Sequence, residues 1–199
     1  MSVSEERVSD MLVSAEAKKH DRAGMNITIL ARVSRALDRS IEITGRISSW
    51  LCLLLTLLVA GDVIARYIWH VGSVAEQELE WHLLAVIAML GASYTLQQGE
   101  HVRVDIFYQY YSDHFKRWLD IWVPLIIIVP TALFIAFVSL RFVEMSYAVQ
   151  EGSPDPGGLP ARYLLKAFLP IGFGLVALQG VAMVCDGIVK LIAPSPPKH

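Results

Sequence analysis

The sequence predicts an all-α integral membrane protein with four transmembrane helices, an N-terminal amphipathic helix before them, and both termini in the cytoplasm. Three observations lead there. Of 199 residues, 54% are hydrophobic and only 18% charged, richer in apolar residues than an average soluble domain. The apolar residues gather into four blocks, each near the ~20 residues that cross a ~30 Å hydrocarbon core. Lysine and arginine concentrate on alternate connections, which sets the orientation.

Residues 1–24 are polar, small and of mixed charge. Such a composition buries too little apolar surface to offset ordering entropy, so this segment is expected to be a disordered cytoplasmic tail. Met25 then begins a more organised stretch, and a translation start there fits as well as one at Met1. Over residues 25–46, Leu30, Val33, Leu37 and Ile41 recur three and four apart, with Arg32, Arg35, Asp38, Arg39 and Glu42 between them. This pattern predicts an amphipathic helix, either interfacial with its arginines near anionic headgroups or a plain extension of the first span. No apolar signal-peptide core precedes residue 47, so the first span is expected to be its own targeting signal.

The spans are placed at about 47–69, 79–96, 119–140 and 163–193, which makes residues 47–193 a transmembrane domain followed by a cytoplasmic tail at 194–199. The fourth block exceeds a perpendicular crossing and must tilt or project. Pro124 and Pro130 in the third span and Pro170 in the fourth predict kinks. One side carries Arg32, Arg35, Arg39, Arg46, Arg103, Lys116, Arg117, Lys190 and Lys198; the other carries Arg66, Arg141, Arg162 and Lys166. The richer side is cytoplasmic by the positive-inside rule. Trp69 and Trp81 mark one interface, and Trp50, Trp118 and Trp122 the other. The EGSPDPGGLP stretch, residues 151–160, is a turn between the third and fourth spans, on the periplasmic side in this topology.

Composition also limits function. A net charge of −2, with its cations split among loops, gives no surface for nucleic acid. Cys52 and Cys185 lie in separate apolar blocks and form neither a C-x-x-C pair nor a metal-ligand spacing. No catalytic or metal-ligating constellation is visible. The two halves share no broken-helix signals of the sort that build a midplane transport site.

Charge in hydrocarbon is costly unless paired or hydrated, so ionisable residues in the spans are the candidates for function. Asp62 and Arg66, four apart, can pair along the first span. Glu76, Glu78 and Glu80 open the second span, and Lys166 lies near the start of the fourth. Together they predict a polar cluster at the periplasmic end. Its charges either hold helices in register or meet a substrate or ion. Glu78 is expected to pair with Arg66 or Lys166. Ala88, Gly91, Ala92 and Thr95 form a stripe of small side chains on the second span, suited to close helix approach within the chain or against another subunit.

Residues 77–107, QELEWHLLAVIAMLGASYTLQQGEHVRVDIF, open with Glu78-Leu79. Leu90-Gly91-Ala92 follows, and Gly99, His101, Arg103, Val104 and Asp105 close the stretch. In this order the motifs resemble the signature of the small, DctQ-like permease subunit of tripartite ATP-independent periplasmic (TRAP) transporters. Residues 153–180 resemble the branch labelled mannitol/chloroaromatic, connected with 2-oxo acids. Much of the family has two acids before the leucine and an arginine after it; this chain has Gln77-Glu78-Leu79 and Trp81, which fits the same branch. The resemblance covers roughly residues 45–185. It implies a large membrane subunit that holds the sodium ions and substrate, and a periplasmic binding protein that delivers an organic carboxylate for uptake by symport. This chain would then be a scaffold in the inner membrane, in contact with lipid and the large subunit, with no cofactor of its own. In it Gly99 would end the second span, Asp105 would cap or pair locally, and Arg103 would lie near lipid phosphates or the partner.

Two readings from other classes stay open on sequence. A haem- or quinone-binding anchor would need axial ligands inside the spans, whereas His70, His82, His101 and His114 fall at span ends or in loops. A stand-alone small exporter would use Asp62 as a proton-coupled carboxylate.

Overall fold

A computed structural model describes residues 3–99 and 112–192, with side chains described from Met25 onward apart from Asn26, Asp113 and His114. The described residues are all-helical, without strands. Helix α1 (Val3–Ile64) ends in a π-helical turn, Ala65–Trp69. Helix α2 (Val74–Gln97) follows. Helix α3 (Asp113–Val123) joins α4 (Val129–Ala148) through a second π-helical turn, Pro124–Ile128, and α5 (Arg162–Ile192) closes the chain. Four helical stretches are long and apolar enough to cross a membrane: Ile27–Trp69, Val74–Gln97, Phe115–Ala148 and Arg162–Ile192.

The first of these differs from the sequence expectation. Residues 1–24 are expected to be disordered, yet one helix runs unbroken from Val3 to Ile64, so that residues 25–46 continue into the first span, one of the two forms the sequence allows for them. Once a helix is nucleated in the span, each further residue adds a hydrogen bond at little cost. The tail is rich in Ala, Glu, Lys and Arg and has no proline to stop it. The 43 residues from Ile27 to Trp69 measure about 64 Å, twice the hydrocarbon thickness, so α1 projects well beyond the membrane. The part before residue 47 packs against the bundle: Ser34, Ile41 and Gly45 are buried, whereas Val33 is 42% exposed.

Span boundaries shift for local reasons. Hydropathy begins the second span at Leu79, but the helix starts at Val74, after an extended Ser73. Glutamates near a helix N-terminus suit its dipole, so these charges lie inside the helix. The third helix starts at Asp113, where the Ser112 hydroxyl accepts a 3.4 Å hydrogen bond from the Phe115 N–H. Pro124 introduces the π-helical turn, because it lacks an N–H and its ring crowds the preceding turn. Pro170 is carried within α5 without ending it.

Helix α5 is the hub, packing against α1, α2, α3 and α4, while α1 also packs on α2. Small residues allow this. A Cβ on Gly172 would lie 2.9 Å from Met89 Cβ of α2, one on Gly180 2.7 Å from Val129 of α4, and one on Gly187 2.7 Å from Ile121 of α3. Helix α4 answers with buried Ala132, Ser139 and Ser146, spaced by seven. Close approach over small residues is how helices associate where no water drives them together.

Candidate functional site

The polar residues at the α2 N-terminus meet the 149–161 connection and the start of α5. Three residues with positive φ fix the path: Gln150 (47°), Gly157 (83°) and Ala161 (63°). Within the connection Ser153 N–H donates to the Leu159 carbonyl (3.1 Å) and Arg162 N–H to the Glu151 carbonyl (2.9 Å). The loop is thereby closed on itself and ends with Arg162 facing α2.

Glu78, 3% exposed, is the centre of this arrangement. Its Oε1 accepts hydrogen bonds from the Ser153 hydroxyl and from Arg162 Nη2 (3.1 Å); its Oε2 accepts from the Leu159 N–H (2.6 Å). The Arg162 guanidinium lies 5.4 Å from the centroid of the Trp81 ring. Gly158 leaves room for the carboxylate, since a Cβ there would stand 2.8 Å from Glu78 Oε2. A neighbouring pair completes the clasp. Glu151 accepts from the Ser146 hydroxyl (2.6 Å) and from the Lys166 ammonium, which also lies 4.1 Å from the Phe142 ring. The ammonium, then the serine hydroxyl, hold the Glu151 carboxyl below the ordinary glutamate value. Two acids and two cations therefore neutralise each other while tying α2, α4 and α5 to one loop.

The partners of Glu78 differ from those expected. Arg66 pairs with Asp62 (2.5 Å) on its own helix, and Lys166 pairs with Glu151, so neither reaches Glu78. Arg162 takes their place because the turn through Pro154–Pro160 folds back over α2. A signal was present: Glu78 and Trp81 are three apart on one helical face, and an arginine that pairs with one can stack on the other. Asp62 has a side chain only 7% exposed, and its Oδ1 is buried without a partner among the described residues. Glu76 is exposed.

The small-residue stripe of α2 does not make the closest contacts. Ala88 and Thr95 are exposed, Gly91 and Ala92 half-buried, and together with Gly45, Ser48 and Cys52 they line an open groove of about 400 Å³ between α1 and α2. The tight α1–α2 contact is Gly45 against the Tyr94 ring, supported by a Ser48 hydroxyl donating to the Ile87 carbonyl at 3.0 Å. Gly99 follows the end of α2 with φ 71°, a left-handed conformation suited to glycine. His101, Arg103 and Asp105 lie outside the described residues.

This geometry holds the helices and the loop together: both oxygens of Glu78 are engaged and the residue is buried. The sequence profile described as "Tripartite ATP-independent periplasmic transporters, DctQ component" matches residues 55–190. A curated relative, "Sialic acid TRAP transporter permease protein SiaT" of Haemophilus influenzae (strain 86-028NP), is 25% identical over 114 residues, 57% of this chain and 18% of that protein. The match thus spans less than a fifth of the relative's length. No solved structure matches the chain. With more than half of its residues inside the family profile, this multi-pass inner-membrane chain belongs to the DctQ component family of TRAP transporters, and it is a transporter component, not an enzyme.

Proposed function

We propose that this chain is the scaffold of a sodium-coupled TRAP symporter: it holds a large membrane subunit that carries the sodium and substrate sites, and it helps dock a periplasmic protein that delivers an organic carboxylate. The observation that carries this reading is the Glu78 clasp. Its charged groups are spent on one another and on the loop, which is what a part that must keep its shape requires. In this reading the clasp end faces the periplasm and both termini the cytoplasm, supported by the distribution of Lys and Arg.

The test is reconstitution. The chain should co-purify with a much larger membrane protein, and liposomes holding this chain alone should show no uptake under a sodium gradient. Sodium-dependent uptake by this chain alone would refute the scaffold reading and favour the stand-alone transporter.

A further inference from the structure

The outward side of α4 carries two charges that nothing else in the described residues neutralises. Phe134, Phe137, Val138, Arg141, Glu144 and Met145 are exposed, and steps of three and four place them on one face. Among the described residues, Arg141 and Glu144 pair neither with each other nor with a third group. The cations of the clasp are committed elsewhere, Arg162 to Glu78 and Lys166 to Glu151.

Their depth selects the partner. Trp118 and Trp122 stack near the other end of this span, ring centroids 6.2 Å apart, where tryptophan marks a membrane interface. From Trp122 to Arg141 the helical path is about 28 Å, close to the ~30 Å of a hydrocarbon core. Phe134, Phe137 and Val138 therefore face acyl chains, Arg141 stands at the far edge of the hydrocarbon, and Glu144 lies about 4.5 Å further out. A guanidinium at that edge reaches toward the headgroups and needs an anion there.

Apolar surface, then a cation, then an anion is the complement of one kind of molecule: acyl chains, then a phosphate, then an ammonium. We propose that this face of α4 binds a phospholipid with a primary ammonium headgroup, phosphatidylethanolamine. Its phosphate accepts hydrogen bonds from Arg141, and its ammonium donates to the Glu144 carboxylate. Phosphatidylglycerol offers Glu144 no cation, and phosphatidylcholine offers it a cation without an N–H donor. A helix of a neighbouring subunit would have to bring both a carboxylate and a cation in register.

The test melts the full-length chain in a neutral detergent with added dioctanoyl phosphatidylethanolamine, or with the same mole fraction of the choline or glycerol lipid, so that bilayer curvature plays no part. The ethanolamine lipid should raise the melting temperature about 2 to 5 °C above the other two. Glu144→Gln should remove its advantage over the choline lipid, and Arg141→Gln should reduce the response to all three. Exchanging the charges, Arg141→Glu with Glu144→Arg, keeps composition and reverses their order along the membrane normal, and should abolish the preference. Equal shifts with ethanolamine and choline lipids in the parent chain, or a glycerol-lipid shift as large, would overturn the proposal without any variant having to fold. No shift with any lipid would overturn it in favour of a neighbouring helix, and a preference kept in full by the exchanged variant would overturn it as well.

Discussion

Replacing Gly172 with alanine places a methyl group 2.9 Å from both the Cβ and the backbone oxygen of Met89, at the contact of α5 with α2. The backbone oxygen cannot rotate away, so the two helices must separate by several tenths of an ångström. Overpacking of this sort costs about 1–3 kcal/mol. The substitution also gains about 0.5–1 kcal/mol by reducing the freedom of the unfolded chain. Gly174, two residues on, provides the control, because a Cβ there meets nothing within 4 Å. Subtracting the two variants cancels the backbone gain and leaves the clash, about 1–3 kcal/mol. At about 2–4 °C per kcal/mol for a chain of this size, Gly172→Ala should melt roughly 2–12 °C below Gly174→Ala. Tryptophan fluorescence of the purified protein reads the transition through five native tryptophans. Equal melting of the two variants, or a higher value for Gly172→Ala, would refute the close α2–α5 contact and with it the role of α5 as hub.

Glu78→Gln should lower the melting temperature more than Glu76→Gln, because an amide NH₂ must face one of the donors Arg162, Ser153 or Leu159 N–H, whereas Glu76 is exposed; equal losses would remove the clasp's importance. Glu151 has a folded-state carboxyl held below its unfolded value, so its contribution is fully present above the unfolded value and is lost as pH falls through the lower folded one. Melting curves on the acid side of the glutamate range should show a decline that Glu151→Gln flattens, and an unchanged acid profile would count against the Lys166 tie. A cysteine at exposed Asp155, with Cys52 and Cys185 replaced by alanine, should react with an impermeant reagent from the periplasm alone; labelling from the cytoplasm alone would invert the topology.

The four spans were legible because apolar blocks of membrane length announce themselves in composition, and Glu78 was legible because a carboxylate at the edge of such a block needs an explanation. Its partner was not. Hydropathy ranks residues by depth along each helix, and Arg66, Arg162 and Lys166 all fall near the same level; only the path of the 149–161 connection decides which one meets α2. The small-residue contacts were half legible for a related reason. A search for spacings of three and four finds Ala88, Gly91, Ala92 and Thr95, which line a groove, but overlooks Ala132, Ser139 and Ser146, spaced by seven on α4, and Gly172, Gly180 and Gly187 on α5. The extension of α1 through Val3 was hidden because a polar composition argues against packing but does not argue against helix.

Burial along the spans is uneven, and this bears on what holds the bundle together. In the most apolar stretch of α5 a third of the residues are buried (33%), against 11% for each of the first two spans and 17% for the third. Residues such as Leu57, Phe134 and Phe137, 62–69% exposed, thus face outward. In water such surface would drive collapse, but against lipid tails it gives no preference for one helix arrangement over another. The arrangement must come from interactions that lipid cannot replace. Those are the glycine contacts of α5, the hydroxyl and amide bonds between helices such as Ser48 to Ile87 and Gln97 to Asp38, and the Glu78 clasp. It follows that a leucine-to-alanine change on the outer face of α1 should leave this fold nearly intact while affecting whatever packs on that face. The reverse holds for Gly172 and Glu78, so defects of fold and defects of assembly can be produced separately in this chain.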